Sequence, residues 1–185
     1  MRYLVVVDMQ NDFIDGTLGT PEAQAIVPKV VKKIEEFDGE VLWTQDSHYD
    51  NYLETQEGRL LPVKHCIVAS NGWKLNNLVE TAIRGKGFVD DQLHAFDKNT
   101  FGSLGLAGRL YPDAVLGDGI EEITLVGLCT DICVVSNALI LKARLPEVKI
   151  SVDASCCAGV TPERHKNALE AMKACQIFIE NEVTE

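Results

Sequence analysis

Five consecutive apolar residues, Tyr3-Leu-Val-Val-Val7, set the tightest limit on how this chain can fold. A half-exposed strand would alternate apolar with polar residues, and an amphipathic helix would repeat every three to four. A short unbroken β-branched run does neither. It suits a strand buried on both faces at the centre of a parallel sheet, and parallel strands need crossover connections, usually helices. The sequence supplies them. A helix starts near Pro21 and runs to about Phe37, with Ile26, Val30, Ile34 and Phe37 on one stripe and Gly39 closing it. Further strands are expected at 41–44, 122–126 and 148–152, with weaker ones at 92–96 and 176–179. Helices are expected at 73–83, 104–110 and about 131–144, where Val134, Ala138, Leu141 and Leu145 share a face. Another begins at Thr161-Pro162-Glu163, an N-cap followed by proline. Residues 85–91 read as a turn with a possible short extra strand, and 112–119 as a loop. The alternation predicts a three-layer α/β/α fold around a mostly parallel, doubly wound, Rossmann-like sheet, in one domain over residues 1–185.

In such a sheet the ligand crevice lies outside the carboxyl ends of the strands. Four polar clusters fall at those ends: Asp8, Asp46 with His48, Lys98, and Cys133. Cys133 sits where a strand–turn–helix begins, and helix-terminal amides favour a thiolate there. Taken alone, a core thiol explains it as well, and Cys129 competes as nucleophile. Helix geometry favours Cys133, which projects from the first helical turn while Cys129 lies in the turn before it. If Lys98 and Asp8 meet Cys133, the ammonium stabilises a thiolate and the carboxylate takes the thiol proton and passes it to a leaving amine.

Residues 45–72 form a long irregular segment, and loops of that length need a functional reason. Within it Asp46-Ser-His48 puts two metal-capable side chains on one side of an extended segment, followed by Glu57 and His65. Together they form a nitrogen–oxygen donor set suited to zinc, iron or manganese; four scattered polar loop residues are the plain alternative. A net charge of −11 argues against nucleic-acid and anionic-membrane partners. The N-terminal run is too short for a signal-peptide core or a membrane span. None of the six cysteines falls in a Cys-x-x-Cys pair, so a reduced, cytoplasmic chain is expected.

Asp8-Met-Gln-Asn-Asp-Phe13, Thr44-Gln-Asp46-Ser-His48, Leu61-Pro-Val-Lys-His65-Cys66, Lys98 and Gly127-Leu-Cys-Thr-Asp-Ile-Cys133 occur in an order that resembles the isochorismatase-like cysteine hydrolases. Within them the chain is most similar to the nicotinamidase/pyrazinamidase branch. The resemblance implies a catalytic triad of Asp8, Lys98 and Cys133, a cis peptide at Leu128–Cys129, and an oxyanion hole from the amides of Cys129 and Cys133. It implies a divalent metal, zinc first, held by Asp46, His48 and His65 with Glu57 as a fourth ligand, and Phe13 and Leu128 beside the substrate. The implied reaction is hydrolysis of nicotinamide or a close aromatic amide, such as pyrazinamide, through a thioester, in a homo-oligomer. Alternatives on the same fold are hydrolysis of a different small amide or of a vinyl ether, or a non-catalytic binding module. Isochorismatases generally lack the metal set, which weighs against the vinyl ether. Four positions depart from the branch: Tyr49 and Asp50 replace Pro and a further His, Leu61 stands where Trp is common, and Cys129 where Ala is usual.

Overall fold

The computed structural model describes residues 1–87, 93–116 and 119–182. From the N-terminus the elements are β1 (Arg2–Val7), a single helical turn α1 (Asn11–Ile14), α2 (Pro21–Glu36), β2 (Glu40–Asp46), a 3-10 turn at Tyr52–Glu54, and the short α3 (Gln56–Leu60). Then come α4 (Asn77–Gly85), β3 (Ala95–Lys98), α5 (Leu104–Leu116), β4 (Glu122–Leu128), a wide π-type turn at Thr130–Val134 and α6 (Val135–Arg144). β5 (Lys149–Ala158), α7 (Pro162–Ala174) and β6 (Phe178–Glu180) complete the chain. All six strands are parallel, in the order β3-β2-β1-β4-β5-β6. The order reverses between β1 and β4, so the crevice of a doubly wound sheet opens there.

β1 is central because both of its faces are apolar. Leu4 and Val6 pack with Ile26, Val30 and Ile34 of α2 and Val79 of α4 on one face. Tyr3, Val5 and Val7 pack with Leu110 of α5, Leu141 of α6 and Met172 of α7 on the other. All five strand residues are fully buried, and burying each such aliphatic side chain stabilises the fold by roughly 1.5–3 kcal/mol. The same alternation separates the adjacent thiols Cys156 and Cys157, which enter opposite cores. Gly127, paired with Val7, has φ +117°, and a Cβ there would lie 2.1 Å from the Val7 carbonyl oxygen. Only glycine lets β4 press this closely on β1. No helix among the described residues is long and apolar enough to cross a membrane.

Several boundaries differ from the sequence expectation, each for a local reason. The helix expected from residue 73 starts at Asn77, because Asn76 caps it by accepting from the Leu78 amide. The Trp73 carbonyl is meanwhile taken by the side chains of Gln10 and Gln45. The loop expected at 112–119 is helical as far as Leu116: α5 runs through Pro112, whose fixed φ is helical and which forfeits one hydrogen bond. β5 extends six residues beyond 152, its register shifted opposite Leu125 and Gly127. The possible strand within 85–91 falls largely outside the described residues.

Candidate active site

Three strand ends converge on one ammonium group. β3 is displaced from the expected 92–96 to Ala95–Lys98, which makes Lys98 its last residue, paired in register with Asp46 at the end of β2. Lys98 Nζ lies 2.7 Å from Asp8 Oδ2 and 3.6 Å from Asp46 Oδ1, and donates to Cys133 Sγ at 3.6 Å. Asp8, just past β1, adopts a left-handed φ of 47°, a conformation that Asp tolerates better than most residues. Its other oxygen accepts from Thr44 Oγ1 at 2.6 Å. Asp8, Thr44, Asp46, Lys98 and Cys133 are all buried.

Burial sets the electrostatics. It pushes the Cys133 thiol well up; the Asp8 charge and a thiol-to-Asp8 hydrogen bond add to the rise, while Lys98 opposes it. Burial likewise raises the Asp8 carboxyl against the pull of Lys98. For Lys98 burial acts downward, but Asp8, Cys133 and Asp46 outweigh it and keep the amine firmly charged. Burial thus disfavours the thiolate and the carboxylate alike, and the Lys98 cation opposes both effects. Cys129 lines the same cavity, and burial holds its thiol up to about 12.

Cys133 lies in the π-type turn, two residues before α6 rather than on a first α-helical turn. The Val134 amide reaches back five residues to the Cys129 carbonyl at 3.1 Å, and Ile132 N donates to the same oxygen at 3.1 Å. The widened turn follows a cis peptide at Leu128–Cys129. Asn137, which the sequence reading passed over, fastens it. Its Nδ2 donates to the Cys133 carbonyl at 2.8 Å, and its Oδ1 accepts from Ser103 N at 2.9 Å. One buried amide thus ties the thiol's turn to the segment that leaves Lys98.

The long loop explains itself by what it delivers. His48 N donates to the Cys66 carbonyl and Val68 N to the His48 carbonyl, each at 2.9 Å, which draws 65–68 alongside β2's extension. His48 Nε2 is then 3.0 Å from Asp46 Oδ2 and 3.5 Å from Glu57 Oε1. His65 Nε2 is 3.4 Å and 3.8 Å from the same two oxygens. Four ligands on a tetrahedral ion at zinc-like bond lengths stand about 3.3–3.5 Å apart; the four separations here span 3.0–3.8 Å, and all four donor atoms lie within 4.8 Å of one another. Three details fit a cation. His48 Nε2 is buried without a hydrogen-bond partner. His65 commits Nδ1 to the Val63 carbonyl at 2.8 Å, leaving Nε2 for a ligand role. Burial pushes Asp46 up, but His48, His65 and Lys98 together hold it well below the usual carboxylate range, so it is ionised. The group can hold a divalent metal ion.

Two further residues escaped the sequence reading. Gln10, fully buried, donates to the Asp46 and Trp73 carbonyls and accepts from Asp46 N, each at 2.8 Å. It fixes the backbone of a candidate ligand. Tyr52 packs its ring on His48 and His65, at centroid distances of 4.6 and 5.0 Å, and donates to the Leu61 carbonyl at 3.0 Å. The available signal for Gln10 was an amide inside a polar loop that follows a buried strand. Tyr52 had none beyond its place in the long loop.

A cavity of about 440 Å³ opens over the thiol. Phe13, Leu61, Phe101, Leu128 and Ile132 give it apolar walls, Cys129 and Cys133 line it, and Asp46, Glu57 and His65 border it. Phe13 lies 5.5 Å from the His65 ring, centroid to centroid. Tyr49, by contrast, is exposed and lines an adjoining hollow with Asn99 and Thr100.

The chain's relatives agree with this architecture. A nicotinamidase from Acinetobacter baylyi is 30% identical over 160 residues, covering 74% of this chain and 72% of the relative. The crystal structure of a nicotinamidase/pyrazinamidase from Bacillus subtilis superposes with a TM-score of 0.80 at 26% identity, covering 97% of this chain and 99% of that one. That of a pyrazinamidase from Pyrococcus horikoshii in complex with zinc superposes with a TM-score of 0.74 at 27% identity, covering 96% and 97%. The isochorismatase-domain profile matches residues 2–182, so the chain belongs to the isochorismatase family.

Proposed function

We propose that this protein is a metal-containing amidohydrolase that converts nicotinamide, or a close aromatic amide such as pyrazinamide, to the acid and ammonia, with Cys133 as nucleophile. The observation that carries the reading is the single buried ammonium of Lys98, within 3.6 Å of Asp8, Asp46 and the Cys133 sulfur at once. It joins a thiol–carboxylate pair to a metal-capable group beneath one apolar cavity. The named activities of the three similar proteins support the substrate class.

In this mechanism Asp8 removes the thiol proton as the sulfur attacks the amide carbon, and Lys98 offsets the charge gathering on sulfur. The amides of Cys129 and Cys133 donate to the developing oxyanion. Asp8 returns the proton to the departing nitrogen, ammonia leaves, and a thioester remains on Cys133. Water, deprotonated by Asp8, hydrolyses it to the acid and restores the thiol. Asp46, His48, His65 and Glu57 would hold a divalent ion, zinc first, which would supply Lewis acidity toward the ring nitrogen of the substrate. Phe13 and Leu128 contact the ring and keep water from it.

Purified protein supplied with zinc and nicotinamide is expected to release ammonia, with a nicotinoyl adduct on Cys133 trapped by acid quench and mass spectrometry. No release from nicotinamide or pyrazinamide at any loading of zinc, iron or manganese overturns the substrate class. A Cys133→Ala variant with full activity overturns the mechanism.

A further inference from the structure

Strand order serves as a ruler along the carboxyl edge. Asp46 ends β2, Asp8 follows β1, Cys133 follows β4, and Gly159 to Arg164 follow β5. With neighbouring strands about 4.8 Å apart, β2 and β5 are separated by about 14 Å. The metal-capable group and the β5 segment therefore flank the thiol from opposite sides. Arg164 lines the cavity on the β5 side, and among the described lining residues it alone carries a permanent positive charge. Its side chain is 62% exposed, and its Nη1 lies 3.8 Å from Asp131 Oδ2, too far for a hydrogen bond. Asp131 uses its other oxygen to accept from Val160 N at 2.9 Å. It steers the guanidinium without occupying the planar fork of donors that suits a carboxylate. The cavity, about 440 Å³, is also larger than one aromatic ring requires, since about 150 Å³ accommodates benzene.

We propose that Arg164 forms a carboxylate-recognition subsite, and that the preferred substrates are small aromatic amides bearing a carboxylate on the flank remote from the metal-capable group. This rests on the amidase reading and narrows it: the ring nitrogen points to β2, the amide lies over Cys133, and the ring carboxylate points to β5.

The test compares 5-carbamoylpyridine-3-carboxylate with nicotinamide. The wild type is expected to favour the anionic amide at least tenfold in kcat/KM. Arg164→Gln is expected to lower that ratio at least tenfold, and Arg164→Lys to restore part of it. A ratio unchanged by Arg164→Gln, or a wild type that prefers the neutral amide, overturns the subsite. If neither amide turns over, the amidase reading fails on its own account, and calorimetry still decides on Arg164. A Cys133→Ala protein is expected to bind pyridine-3,5-dicarboxylate at least tenfold more tightly than pyridine-3-carboxylate, and adding Arg164→Gln is expected to abolish the difference. Equal affinities, or no binding of the dicarboxylate, overturn the proposal.

Discussion

Two lysine–carboxylate pairs of almost equal length occupy opposite edges of the same sheet. At the carboxyl edge Lys98 Nζ is 2.7 Å from Asp8 Oδ2, with side chains 2% and 0% exposed. At the amino edge Lys149 Nζ is 2.6 Å from Glu122 Oε1, with side chains 43% and 11% exposed. Contact distance does not distinguish them; burial does. Lys149 shares its charge with Glu180, and Glu122 also accepts from Ser151, in a setting where water and salt screen the attraction. Lys98 and Asp8 have given up their hydration, and in such pairs desolvation offsets much of the attraction. The exposed pair contributes to the fold. The buried pair sets a field that acts on the neighbouring Cys133 thiol, and in the proposed mechanism that field moves a proton between the thiol and the Asp8 carboxylate.

The largest expected effect tests that division directly. Lys98→Met removes the cation opposite the thiolate and is expected to reduce ammonia release by about 10²–10³-fold. Combined with Asp8→Asn, it removes both buried charges, and the double variant is expected to be at least as stable as wild type toward urea while remaining inactive. A double variant destabilised by several kcal/mol would place the pair among the fold's main supports. Next comes the donor group: dialysis against a chelator, or His48→Ala, is expected to cut activity by no less than the roughly 10–100-fold that loss of an outer-shell partner costs, with zinc restoring the dialysed protein but not the variant. Elemental analysis checks the loss of metal.

Asn137→Ala tests the fastening between the two halves of the site. It leaves the Cys133 carbonyl and the Ser103 amide without their partner and is expected to cost about 1–3 kcal/mol of stability. It should also lower kcat more than it raises KM, as read from steady-state ammonia release. The smallest effect belongs to the amino edge, where Lys149→Met with Glu122→Gln is expected to remove at most about 1 kcal/mol and leave activity intact. Burial alone would raise the Glu122 carboxyl, but Lys149 and Ser151 hold it below its ordinary 4.5. The pair's contribution is therefore full above that value and disappears as pH falls through the lowered folded one. The difference in Tm between wild type and the double variant should close on acidification, as thermal melts at stepped pH would record.

The sequence made the sheet and its polar edge legible because both depend on local pattern. An unbroken apolar run such as 3–7 can only be central, and whatever follows such a run stands at a strand end. That logic put Asp8, Asp46 and Lys98 on one edge before any contact was known. It could not find Gln10, Asn137 or Tyr52, whose partners lie 36, 34 and 9 residues away and whose residue types are ordinary in loops and helices. It also missed the π-type turn: one extra residue per turn leaves apolar spacing almost unchanged, yet it moves Cys133 off the α-helix. Pro112 misled for the opposite reason. A residue that usually ends a helix is tolerated inside α5 for the loss of one hydrogen bond.

The strand order has a last consequence, for the life of the chain before it is folded. Asp8, Lys98 and Cys133 are separated by 90 and 35 positions, and they meet only when β3, β2, β1 and β4 lie in register. β1 leaves the ribosome first, but its neighbour β4 follows more than a hundred residues later, so the central pairing has a long loop to close. Until then Cys133 is one ordinary thiol among the six of the chain. The buried contact of Cys133 with Lys98 arrives as the last product of assembly, and the loss of alkylation at Cys133 during refolding would time the closing of the sheet.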